Sequence, residues 1–208
     1  MKVFSKILVA IIVVFLFGNF SFAQTTQNVS RKVKGRVLTS NDAPKISLKF
    51  DKKFKFVGSH EFVLYDRANA AQYFFVEAEG KKIKRMFMLQ FESFLPNIDA
   101  KYDYNEPNTV ELGGLKYFSN AEFVPNVELA LKAVPDSDIA HAANFLQDKG
   151  FVLMKSLVFQ RFVRVVNESK RDEFIMLYIE DAENEKSIQG LSDRALQHLM
   201  HPVVVTNQ

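Results

Sequence analysis

Alternation with a period of two dominates this chain, and in several stretches both phases of it are apolar. Residues 86–96 read MFMLQFESFLP. Phe87, Leu89 and Phe91 make one face; the other begins with Met86 and Met88 and turns polar at Gln90 and Glu92. Period two means strand, because successive side chains of an extended backbone point to opposite sides. Further along, Leu157, Phe159, Val163 and Val165 share a face with Arg161, while Val158, Gln160, Phe162 and Arg164 share the other. Phe174, Met176 and Tyr178 oppose Ile175, Leu177 and Ile179, and Phe74 and Val76 oppose Tyr73 and Phe75. A sheet with one solvated face would alternate cleanly between apolar and polar, so this one is expected to be covered on both faces.

The remaining elements follow from punctuation. Residues 34–38 read as a short first strand. Apolar even positions from Ile46 to Leu64, then residues 72–79 and 83–95, predict an antiparallel meander over 46–95, which Pro96 ends. Residues 97–125 are rich in Asn, Gly, Pro and Tyr and predict irregular structure with one short strand at most. A helix follows, capped by Asp136 and closed by Lys149-Gly150, with Ile139, Ala142, Ala143 and Leu146 on its buried stripe. Strands at 152–166 and 173–180 flank a polar turn, and a last helix runs from Asp193 to about Met200, capped by Ser192 and stopped by Pro202. The class is α+β: a mainly antiparallel sheet of about six to seven strands with two packed helices.

The amino terminus carries an address. Lys2 and Lys6 precede an apolar run from Ile7 to Phe17, and Ser21-Phe22-Ala23 supplies the small residues a signal peptidase reads. Residues 1–23 are read as a signal peptide with Gln24 as the mature start, 24–32 as a disordered lead-in, and 33–208 as one domain. The protein is therefore expected to be exported, to periplasm or medium, with no membrane span after cleavage. Removing 23 residues from 208 leaves 185, enough for one domain with a substantial core.

Cysteine is absent, so core packing must hold the fold without disulfides. Phenylalanine supplies the material, with 21 in the chain, 16 of them after Ala23. Lys2 and Lys6 leave with the signal, so the 27 basic against 24 acidic residues become 25 against 24. That balance argues against nucleic acid as a partner. The one basic cluster, Arg31, Lys32, Lys34 and Arg36, reads as a solvated face.

Motifs for nucleophilic, metal or nucleotide chemistry are missing, and no cofactor is expected. His60 reads as structural at a bend and His141 as solvated. His198 and His201, three apart on the last helix, have a spacing that could hold a metal but lack a third ligand. Glu77 and Glu79 read as a solvated strand edge. Asn28 and Asn167 begin glycosylation sequons.

Two arrangements satisfy the doubly apolar strands. Helices and the 97–135 segment cover the second face completely, or they leave a cleft. In the second case the sequence places Met86, Met88, Gln90, Glu92, Gln160, Arg161, Arg164 and Tyr178 at a ligand site, with Glu92 paired to Arg161 or Arg164. The function expected is a non-enzymatic binding domain for a small apolar or amphipathic ligand or an envelope or extracellular partner. The alternatives are a carboxylate-dependent cell-envelope hydrolase and a pocket-free protein-interaction domain.

Overall fold

A computed structural model describes residues 30–105 and 107–204, the last four as backbone alone. The expected signal peptide, Gln24 and the Asn28 sequon lie outside the described residues. Strands β1 (Arg31–Lys34), β2 (Val37–Ser40), β3 (Ile46–Phe50) and β11 (Leu199–Val204) form a four-stranded sheet in the order β1-β2-β3-β11. Seven more strands form the larger sheet: β4 (Lys55–Leu64), β5 (Ala68–Glu79), β6 (Lys82–Phe94), β7 (Thr109–Leu112), β8 (Leu115–Val124), β9 (Leu157–Val165) and β10 (Asp172–Asp181). Its order is β4-β5-β6-β10-β9-β8-β7, and every pairing between these strands is antiparallel. Helices α1 (Val127–Ala133), α2 (Asp138–Asp148) and α3 (Leu191–His198) and a 3₁₀ turn at Glu185–Ile188 complete the domain. The chain is α+β with a mainly antiparallel sheet, as its periodicity predicts.

The large sheet is the middle layer, and its parity decides what each residue meets. Phe87, Leu89 and Phe91 stand opposite Tyr178, Met176 and Phe174 across the β6–β10 ladder and join one core with Leu38, Ile46, Leu48 and Phe50 of the small sheet. Phe50 stacks on Phe75 with ring centres 4.1 Å apart and tilts against Phe87 at 4.9 Å. Burying each such ring contributes roughly 1.5–3 kcal/mol. The other parity, Phe74, Met86, Met88, Val163, Ile175, Leu177 and Ile179, joins a second core with Ala142 and Leu146 of α2. Both faces are covered because both phases of the alternation are apolar.

Several elements differ from the sequence expectation. The 46–95 meander is split: β3 belongs to the small sheet, and the chain crosses to the large one at residues 51–54, where the fully buried Phe54 ring packs edge-on to Phe87. Residues 97–125, expected to be mostly irregular, contain the β7–β8 hairpin. Its two-residue turn needs positive φ at both positions, and Gly113 and Gly114 take 59° and 78°. Helix α1 was not expected; at seven residues it is too short for a periodic signal, and Asn126 caps it by accepting from the Leu129 N–H at 2.9 Å. Ser137, not Asp136, caps α2, and Ile139 stays 38% exposed because the buried face is Ala140, Ala142, Ala143 and Leu146.

The last helix begins at Leu191 after a left-handed Gly190, with no side-chain cap from Ser192, and ends at His198. Residues 199–204 then pair with β3, and Pro202 is tolerated because β11 is an edge strand. Arg31 and Lys32 open β1. Arg31 is no solvated cation: its guanidinium lies 3.9 Å from the centre of the Phe91 ring.

Candidate ligand-binding groove

Strand β6 grades from apolar to polar along its helix-facing side, and its neighbours grade with it. Opposite Met88 on β5 stands Phe74; opposite Gln90 stands Gln72. On β10, Leu177 faces Met88, Ile175 faces Gln90, and Glu173 faces Glu92. One end of this sheet face is therefore grease and the other amide and carboxyl.

The polar end is fully wired. His60 Nε2 lies 2.7 Å from Gln72 Oε1, the Gln72 amide donates to Gln90 Oε1 at 2.6 Å, and the Gln90 amide donates to Glu92 Oε2 at 2.8 Å. Gln72 also donates to the Asp138 carbonyl at 3.0 Å, which ties the first turn of α2 to the sheet. A strap of residues 95–105 closes over the carboxyls. The Arg171 guanidinium donates to the carbonyls of Ile98 and Leu95, both at 2.7 Å, and fixes the start of the strap. Tyr102, stacked on Phe94 at 4.3 Å, donates its hydroxyl to Glu92 Oε1 at 2.6 Å, and Tyr104 donates to Glu173 Oε2.

Burial sets the electrostatics here. Glu173 is only 4% exposed, and desolvation pushes its carboxyl up to about 7 against the opposing effect of the Tyr104 bond, with Glu92 adding repulsion. Desolvation likewise raises Glu92 and Asp138 above the usual carboxylate range. Burial holds the His60 imidazole below its ordinary range.

Beside this cluster the cover is incomplete. A groove of about 380 Å³ runs between the helices and the sheet. Its floor is Leu157 and Phe159 of β9 with Ile175, Leu177 and Ile179 of β10; its roof is Val127, Ala130, Leu131 and Val134 around α1 and Ile139 of α2. Polar side chains enter the lining at Ser137, Asp138 and Arg161. Arg161 lies over the Tyr104 ring at 5.2 Å. A smaller void of about 50 Å³ shares five of these residues and adds Met86 and Met88. The roof is thin, with Leu129 65% and Val134 50% exposed.

The structure gathers Met86, Met88, Gln90, Glu92 and Arg161 on this face. It separates the other three expected site residues. Gln160, Arg164 and Tyr178 have the opposite parity and face the other core, where Gln160 donates to Ser119 Oγ at 2.8 Å and Arg164 to the Lys116 carbonyl at 2.9 Å. Arg164 cannot meet Glu92 from there. Strand β10 also lies between β6 and β9, and the partners of Glu92 are Tyr102 and Gln90.

Gln72, Asp138, Glu173, Tyr102 and Tyr104 were not singled out by sequence. Glu173 alone left a signal, as a charged residue continuing the apolar parity of Ile175, Leu177 and Ile179. The histidines also differ from expectation. His141 stacks on Phe62 at 4.0 Å, and His198 ends α3 against Phe54 with Nε2 2.9 Å from Arg85. His201 lies in β11, so the two do not share a helix. Glu77 forms an ion pair with Arg85 at 2.8 Å, whereas Glu79 is exposed beside Lys84. Among the described residues no three His, Asp or Glu side chains are grouped to hold a metal, and no helix is long and apolar enough to cross a membrane.

Comparison with known protein families, with curated proteins and with solved structures finds no match for this chain.

Proposed function

We propose that this chain is an exported, non-enzymatic binding domain that takes a small amphipathic ligand into the groove beneath α1. The observation that carries the reading is the groove itself: about 380 Å³, apolar along its length, with Asp138 and Arg161 entering its lining. Small-molecule sites combine this size with a few convergent polar groups. Export rests on the amino-terminal sequence pattern. Native mass spectrometry of protein purified under mild conditions tests the reading. A co-purifying amphiphile is expected, and Ala130→Trp, placed on the exposed side of the roof, is expected to remove it while leaving the fold intact. Ligand-free protein that also gains no thermal stability from single-chain amphiphiles would refute it.

One observation favours a second reading, an envelope hydrolase. A carboxyl raised to about 7 beside other carboxyls is what a general acid needs. Against it, Glu92 and Glu173 are already engaged by tyrosine hydroxyls of the strap. Turnover of envelope glycan that Glu173→Gln abolishes would establish the hydrolase instead.

A further inference from the structure

The groove has a direction. Along β10 its floor runs Ile179, Leu177, Ile175, and the next residue of the same parity is Glu173, about 7 Å further on at the rise of an extended strand. Asp138 lines the groove at that end and joins Glu92 through the amide of Gln90, at 3.4 Å to Asp138 Oδ2 and 2.8 Å to Glu92 Oε2. Three carboxyls from three elements thus converge beyond the apolar floor. Among the described residues, the cation acting on Asp138 and Glu173 is Arg161. The strap bonds two of the three carboxyls through the hydroxyls of Tyr102 and Tyr104, and the Arg161 guanidinium lies over the Tyr104 ring.

We propose that the ligand of this groove is a single-chain amphiphile with an ammonium head, its tail lying on Ile175, Leu177 and Ile179 beneath α1 and its head beside Asp138, in the field of the buried Glu173. This rests on the groove reading above and adds the sign of the charge. An ammonium offsets carboxylates that burial has deprived of water, whereas a carboxylate or phosphate head would add negative charge to a cluster whose carboxyls already repel one another. The groove floor sets the length, since three alternate residues of one strand span roughly 14 Å, close to an extended chain of about ten carbons.

The proposal makes affinity depend on pH through the protein. The groups that face Glu173 are Glu92 from β6, Asp138 from α2, Arg161 from β9 and Tyr104 from the strap, with Tyr102 bound to Glu92 and His60 reaching the cluster through Gln72. As Glu173 loses its proton near neutrality, the cluster gains a negative charge and holds a cation more tightly.

The test is calorimetric titration of the folded domain with decyltrimethylammonium, decanoate and 1-decanol, below their aggregation limits, at pH 6 and pH 8. The quaternary head does not titrate, so its pH trend belongs to the protein. At pH 8 the cation is expected to bind at least tenfold more tightly than either other head. That preference is expected to narrow at pH 6 and to fall severalfold in Glu173→Gln and in Asp138→Asn, with decanol affinity unchanged. Decanoate or decanol binding as tightly as the cation, or a preference untouched by both pH and the variants, would overturn the ammonium assignment and leave the groove standing. Binding of none of the three, or binding that survives Ala130→Trp, would overturn the groove reading itself.

Discussion

Glu173 couples the fold to pH. Its carboxyl sits at about 7, above the roughly 4.3 of a solvated glutamate. Between those values the folded protein keeps a proton that the unfolded chain releases, so stability falls as pH rises through that interval. The contribution is whole below about pH 4 and gone above about pH 7, a change of about 4 kcal/mol at most if Glu173 acts alone. The raised Glu92 and Asp138 act in the same direction. Denaturant melts should show the domain more stable at pH 5 than at pH 8, and Glu173→Gln should flatten much of the difference. A wild type equally stable at both would mean that the carboxyl stays ionised in the fold. At this scale the sequence was half legible. Parity within each strand could be read directly, which put Met86, Met88, Gln90 and Glu92 on one wall. Which parity of β9 joins that wall depends on register across β10, and no local pattern in β9 encodes it; Gln160 and Arg164 were therefore grouped with residues on the far side. The tyrosines that satisfy Glu92 and Glu173 come from a strap whose course is set by Arg171, a tertiary contact.

Elements with strong periodicity were legible, and elements specified by their neighbours were not. Strands β5, β6, β9 and β10 and helix α2 show their period in sequence; β7, α1 and β11 are short and owe their state to what they pack on. The parity of β6 makes a prediction. Met88 is 1% exposed and packed into the helix-side core, while Phe87 is packed into the other. Both Phe87→Ala and Met88→Ala should therefore cost about 2–5 kcal/mol in denaturant melts, since each opens a cavity. A much smaller loss at Met88 would mean that water reaches its side of the strand. Gly58 makes another. It follows the bulge in β4 with φ of 138°, and a Cβ built there would stand 2.9 Å from the Phe145 ring of α2. Gly58→Ala should cost about 1–3 kcal/mol through strain and overpacking, and Gly58→Ala with Phe145→Leu should recover part of it. Arg171→Lys should release the strap, because an ammonium cannot reach the carbonyls of both Ile98 and Leu95 as the guanidinium fork does. Faster hydrogen exchange at the Tyr102 amide, which bonds the Lys170 carbonyl at 2.7 Å, would register the release; unchanged exchange would show that the tyrosines alone hold the strap.

The whole molecule is three layers sharing one central sheet, so the two cores should not unfold apart. Phe50→Ala on one side and Leu146→Ala on the other should each lower the midpoint of a single transition, followed alike by far-UV and near-UV circular dichroism. Separated transitions would mean that the small sheet is its own cooperative unit. One feature of that small sheet bears on how the molecule comes to be. Its ladder sets Leu199 opposite Phe50, 149 positions away along the chain, with the whole of the large sheet in between. Closing so long a loop is entropically costly until other contacts have shortened it, and such pairings slow the search. Strand β11 is therefore expected to dock last: folding should be rate-limited before it arrives, and stopped-flow kinetics should show mutations in its pairing with β3 speeding unfolding while leaving the folding rate nearly untouched.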